Sequence, residues 1–229
     1  MCGRYVAAND PDALAADFGI NDLPDHRLAA DFNVAPTKQV YVVIDQQIAD
    51  GGPLTRRLDI ARWGLIPSWA KDPSIASRLI NARAETVAEK PSFRRAFARR
   101  RCLVPADGYY EWVAKQPYYL HAAVGRTLAM AGLYEWWQVP GVGGEDPDAR
   151  RLTCTVITTA ATAEVAQIHQ RMPLIIDPSD WSGWLDPAAT DASELLLSPS
   201  QASIVAHRVT TEVNNVRHNG PELTQRATV

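Results

Sequence analysis

The chain has 229 residues, 46% of them hydrophobic and 21% charged, with a formal net charge of −3. That is globular composition with enough apolar material for a sizeable core, in one large domain or two small ones. It excludes coating nucleic acid by global charge, a membrane span, and, with Cys2, Cys102 and Cys154 far apart, a disulfide framework or a CxxC zinc site. No apolar signal core opens the chain, which points to a cytoplasmic protein.

In chain order, "NDPDALAADFG" predicts a helix. Asn9 or Asp10 caps it, Pro11 fits its first turn, Leu14 and Phe18 share a face, and Gly19 ends it. Residues 39–44 and 57–66 alternate as strands. Residues 92–101 read as a short basic helix. Strands are expected at 102–104, 109–113, 118–121, 128–136 and 152–158. Short helices are expected at 162–168, at 178–185 behind an Asp177 cap, and at 191–197, with a strand beginning at Pro173 and a last one at 204–209. "GVGGEDPD" (141–148) is a loop or hairpin tip, because strand signals flank it. Strands outnumber helices and do not alternate with them. The fold class is therefore α+β: a largely antiparallel, barrel-like β core with short peripheral helices. No internal repeat or linker divides residues 1–229, which read as a single domain with a tail frayed after about Leu223.

Chemistry concentrates in a few stretches. "MCGRY" puts a cysteine directly behind the start methionine. Either Cys2 is a buried terminal thiol, or loss of Met1 gives it a free α-amine beside the thiol. An α-amine titrates near about 8 against about 10.4 for lysine, so it is the better neutral nucleophile toward an aldehyde. The adjacent thiol can then close on the same carbon as a five-membered thiazolidine, with the advantage of an intramolecular step. In "INARAET", Asn81 and Arg83 project to one side of an extended segment, as a functional pair or as a turn Asn with a surface Arg. In "ADGYYEWV", Glu111 shares a strand face with Tyr109 and Val113. Desolvation there suits a general acid, unless a buried arginine pairs with it. In "IHQRMP", His169 titrates in the useful range and Arg171 can fork a phosphate, though a lone histidine is commonly structural. Trp69 in "WGLIPSWA" either stacks on a base or packs inward. Trp63 reads as core, as do Cys102 and Cys154. The run Arg94, Arg95, Arg99, Arg100 and Arg101 fits a solvated helix face as well as DNA.

Together and in this order, MCGRY, NVAPT, WGLIPSWA, NARAET, RRRCLVPADGYYEW, ITTAA, IHQRMP and VNNVRHNGPEL resemble the SOS-response-associated peptidase family, from Cys2 to about Leu223. Members of that family crosslink themselves to abasic sites in single-stranded DNA. The resemblance implies Cys2 as nucleophile, Asn81 as a hydrogen-bond partner of the opened sugar, Glu111 as acid and base, and His169 as an aid to proton transfer. It implies Arg4, Arg83 and Arg171 as phosphate contacts, with Asn33, Pro36, Trp69 and Thr158 lining the DNA track. The partner implied is single-stranded DNA carrying abasic sites, bound by a monomer without cofactor, metal or membrane, in the cytoplasm and on the nucleoid when engaged. Ala70 departs from the pattern, since some members carry a second aromatic there; Trp69 is left as a lone platform. Two rivals stand beside this reading. An N-terminal-nucleophile hydrolase, peptidase or amidotransferase would use the Cys2 thiolate with its amine as base, or act only in self-processing to expose Cys2. A non-catalytic single-strand-binding module would leave no covalent product.

Overall fold

The computed structural model describes residues 2–47, 52–143, 145–146, 149–198, 200 and 202–227. The chain runs β1 (Tyr5–Ala7), α1 (Pro11–Phe18), β2 (Asp31–Val34), β3 (Gln39–Gln47), β4 (Leu54–Trp63), β5 (Asn81–Arg83), α2 (Arg94–Arg99), β6 (Arg101–Ala106), β7 (Gly108–Val113) and β8 (Gln116–Ala122). It continues with β9 (Leu128–Gln138), β10 (Arg150–Ala160), α3 (Ala163–Ala166), β11 (Arg171–Pro173), α4 (Trp181–Leu185), α5 (Ser193–Leu197) and β12 (Ile204–Arg208). The expected α+β class holds. Strands β10, β4, β3, β6 and β9 follow one another, and β9 pairs back to β10, so five strands close into a barrel. The closure is mixed, because β4 meets β10 in parallel, with Thr153 opposite Arg62. A second, antiparallel sheet has the order β12-β8-β7-β1-β2.

Alternation sorts the side chains between two cores. On β6, Cys102 and Val104 join Cys2, Tyr5, Trp63, Cys154 and Tyr109, whereas Leu103 joins Phe18, Phe97, Leu133 and Trp184 under the helices. Both faces of β6 are therefore buried, which is why its residues 102–106 are a continuous apolar run. Helix α1 ends as its sequence predicts. The Asp10 carboxylate accepts the Asp12 N–H at 2.8 Å, and Gly19 takes a left-handed φ of 66°.

Several boundaries differ from expectation. The strand expected to reach residue 66 stops at Trp63, because Gly64 turns at φ 121° and its N–H bonds the Cys154 carbonyl. A Cβ at Gly64 would sit 2.7 Å from the Ala76 carbonyl oxygen, so the turn requires glycine. Arg101 is not the end of the basic helix but the start of β6, and it is buried. Its guanidinium donates to the carbonyls of Trp184 (2.6 Å), Phe97 (2.6 Å), Asp186 (2.5 Å) and Ala189 (2.8 Å). Asp177 makes no capping bond; it accepts from Ser200 Oγ at 2.7 Å and faces Arg126. The strand expected to begin at Pro173 ends there instead. The tail expected to fray after Leu223 bonds back to β12. The Ala227 N–H donates to the Arg208 carbonyl at 2.9 Å, and His207 Nε2 lies 2.8 Å from the Thr224 carbonyl.

Candidate functional site

The two sheets meet at the start of the chain. Strand β1 lies between β2 and β7, with Tyr5 opposite both Val34 and Tyr109, so Cys2 enters the interior and is 0% exposed. Strand β5 runs parallel to β10 with Asn81 opposite Val156, which carries Asn81 to the same place from the barrel side. Asn81 Nδ2 donates to the Cys2 carbonyl at 2.7 Å. Its Oδ1 is buried and has no hydrogen-bond partner among the described residues. A buried acceptor left unmade is costly, so this oxygen is open to a further donor.

Glu111 stands on β7 at 3% exposure. Burial raises its carboxyl above the ordinary range, while the amino-terminal charge and then His169 pull it down. Burial, followed by the charge of Glu111, pushes the Cys2 thiol well above its usual range; the amino-terminal charge and the Arg4 backbone N–H act in the opposite direction. His169 sits between α3 and β11. The Arg171 N–H donates to its Nδ1 at 2.9 Å, and the Arg171 carbonyl lies 3.0 Å from the same atom. Neutral, the ring accepts from that N–H; protonated, it donates to that carbonyl. Both protonation states thus have a partner, which suits a group that passes protons on. Tyr109 completes the cluster. Its buried hydroxyl has no hydrogen-bond partner among the described residues, and burial, then the charges of Cys2 and Glu111, raise its titration. Tyr109 is absent from the expected site, although its place two residues before Glu111 on one strand face is the signal that finds it.

The expected phosphate and track residues fall on different parts of the rim. Arg171 is held by Glu85 through both terminal guanidinium nitrogens (Nη2 to Oε2 at 3.0 Å) and by the Thr158 carbonyl at 2.6 Å. Arg83 is exposed beside that pair and lowers the Glu85 carboxyl together with Arg171, whose hydrogen bond is the largest cause. Arg4 donates from Nη1 to Asn33 Oδ1 (2.7 Å) and to the Val213 carbonyl (2.8 Å), with its guanidinium 5.9 Å from the centre of the Trp112 ring. Two expected track residues do not face the surface. Asn33 is fully buried, and its Nδ2 donates to the carbonyls of Val213, Asn215 and His218; it fixes Arg4 and the C-terminal segment rather than lining a channel. Thr158 is buried, and its hydroxyl donates to the Ala82 carbonyl. Pro36 is half-buried in the turn after β2, and Trp69 is 53% exposed. Met1, whose removal the two-nucleophile chemistry requires, lies outside the described residues. Among the described residues no three His, Cys, Asp or Glu side chains group as a metal site, and no helix is long and apolar enough to cross a membrane.

The SOS response associated peptidase (SRAP) family model matches residues 1–216. The chain is similar to the abasic site processing protein YoqW of Bacillus subtilis, with 39% identity over 233 residues, covering 97% of this chain and 98% of that protein. It is similar to the abasic site processing protein HMCES of Gallus gallus, with 34% identity, covering 97% of this chain and 76% of that one. A crystal structure of a Bacteroides thetaiotaomicron protein superposes with a TM-score of 0.82 at 26% identity, over 99% of this chain and 100% of the other. Cys2, buried against Asn81 and Glu111 with His169 acting on Glu111, thus occurs in a chain matched almost end to end, and the chain belongs to the SOS response associated peptidase family.

Proposed function

We propose that this protein processes abasic sites in single-stranded DNA, closing a thiazolidine ring between Cys2 and C1′ of the ring-opened deoxyribose once Met1 is removed. The observation that carries the reading is Asn81: one end of its amide ties down Cys2, while the other is a buried acceptor with no donor among the described residues. An opened sugar offers hydroxyl donors at that spot. The names of the similar proteins support the substrate class.

The steps follow from the cluster. His169 takes the proton that the terminal ammonium must release, and the amine adds to the aldehyde to give a carbinolamine. Protonated Glu111 donates to the departing hydroxyl; water leaves, and an iminium and the Glu111 carboxylate remain. The Cys2 sulfur then bonds to C1′, the C=N π pair returns to nitrogen, and the thiol proton passes to Glu111. The sum is one aldehyde, one amine and one thiol giving the ring and one water, with Glu111 restored. Burial keeps the thiol protonated until that last step. Ring closure also removes the iminium, whose electron demand would otherwise drive β-elimination of the 3′ phosphate. A hydrolase acting through a standing Cys2 thiolate is disfavoured by the same burial and by the neighbouring Glu111 charge.

The test is denaturing gel electrophoresis after incubation with an abasic oligonucleotide. The wild type gives a heat-stable shifted band. Cys2→Ser gives an adduct that decays or cleaves the strand. A serine adduct as durable as the wild-type one refutes the ring.

A further inference from the structure

Arg62, Arg150 and Arg151 converge on a groove of about 580 Å³, lined also by Thr37, Gln39 and Trp136. Register places two of them together. Arg62 lies opposite Gln39 on β3 and Thr153 on β10, and Arg151, two residues before Thr153, stands on the same face. Among the described residues, no Asp or Glu pairs with any of the three arginines. Arg62 Nη1 is buried without a hydrogen-bond partner among the described residues. Burial, and next the charge of Arg151, lower the Arg62 titration. On a protein of net charge −3, cations facing one another with a buried N–H unmade mark an anion site, since a merely solvated arginine keeps its nitrogens in water.

The groove adjoins Pro36 and Trp69 of the expected DNA track through their sequence neighbours. Thr37 follows Pro36, and its N–H bonds the carbonyl of Trp63, the residue after Arg62. On the other side the Arg151 guanidinium lies 5.8 Å from the centre of the Trp137 ring, and Trp137 Nε1 donates to the Ala70 carbonyl at 2.7 Å, next to Trp69. Trp136 adds an indole face that is 43% exposed. Arginines for phosphates beside an open aromatic ring are the two elements of a single-strand platform.

We infer that this groove is a second strand-binding segment, in which Arg62 and Arg151 hold backbone phosphates and Trp136 stacks a base of the DNA running past the reactive site between Pro36 and Trp69. The inference rests on the single-strand reading above and extends its footprint beyond the reacting nucleotide.

The test compares the wild type with the pair Arg62→Gln and Arg151→Gln, using undamaged single strands of about 6 and about 20 nucleotides across a salt series. With about 0.7 of slope per phosphate contact, the log–log salt dependence for the longer strand becomes shallower by about 1.4, and affinity falls severalfold. The shorter strand changes less, and crosslinking of a short abasic strand at saturation is unchanged. If loss of half-buried Arg62 lowers the melting temperature, the exposed pair Arg150→Gln and Arg151→Gln, with Trp136→Ser, carries the comparison instead. Unchanged affinity and slope in these variants overturn the groove while leaving the crosslink intact. A wild type that forms no covalent band overturns the chemistry of the site, and the salt slopes still read the groove.

Discussion

On the proposed reading Arg171 meets a phosphate with its guanidinium fork, yet that fork already holds an acid. Glu85 occupies both terminal nitrogens, and the pair is unevenly covered, with the arginine side chain 19% exposed and the carboxylate 51% exposed. A phosphate arriving at Arg171 must displace this carboxylate. A half-exposed ion pair is worth about 0.2–1 kcal/mol after solvent screening. Glu85→Gln keeps the shape and removes the charge, so affinity for single-stranded DNA should rise by up to about fivefold, at 1.4 kcal/mol per decade. Fluorescence anisotropy with a labelled strand measures it. Glu89→Gln, an exposed neighbour in no ion pair among the described residues, controls for general charge. The Arg171 hydrogen bond holds the Glu85 carboxyl below its ordinary range. The competing charge therefore persists to low pH, and the gap between wild type and variant closes only as pH falls through that lowered value. Equal gains from both substitutions would reduce the effect to bulk electrostatics. A loss of affinity in Glu85→Gln would refute the competition outright and make Glu85 a support that aims Arg171.

Glu111→Gln should slow adduct formation by about 100-fold or more, the usual weight of a positioned acid, as followed by the rate of band appearance on denaturing gels. Its wild-type rate should decline as pH rises through the raised Glu111 value, and the variant should lack that decline. The same group carries a stability signature. The unfolded carboxyl ionises near 4.5, whereas the folded one keeps its proton to higher pH, so folding is favoured most below 4.5 and loses ground as pH rises through the folded value. Thermal melts should therefore show Glu111→Gln more stable than wild type at neutral pH and level with it in acid. Arg101→Ala strips donors from four carbonyls at the α4 end of the molecule and should cost about 3–5 kcal/mol. Calorimetry should show the melting temperature falling by about 6–20 °C, and a drop near zero would mean that water replaces the guanidinium.

Much of this molecule is legible in its residues, for stated reasons. The long strands, helix α1 and the core positions of Trp63, Cys102 and Cys154 follow from alternation, a capping aspartate and a terminal glycine. The short strands β1 and β2, of three and four residues, are not legible, and β11 is legible only with shifted bounds, because periodicity needs more length to declare itself. Their places are set by partners far along the chain. Arg101 shows the limit clearly. In sequence it extends a basic run, and only the approach of the α4 carbonyls makes it a buried donor. Asn33 and Thr158 show the same limit at the site. A polar residue in a motif is visible, but whether it faces a ligand or a buried carbonyl is decided by segments such as 213–218 that sequence spacing cannot bring together.

Asn33 also has a consequence for the order of events in the cell. It receives the carbonyls of Val213, Asn215 and His218 from near the end of the chain, while holding Arg4, two residues after Cys2. On the ribosome the first residues emerge long before their clasp exists. The nascent terminus is therefore unclasped until residues 213–218 have been made and folded back, and the setting of Arg4 is completed only by that late segment.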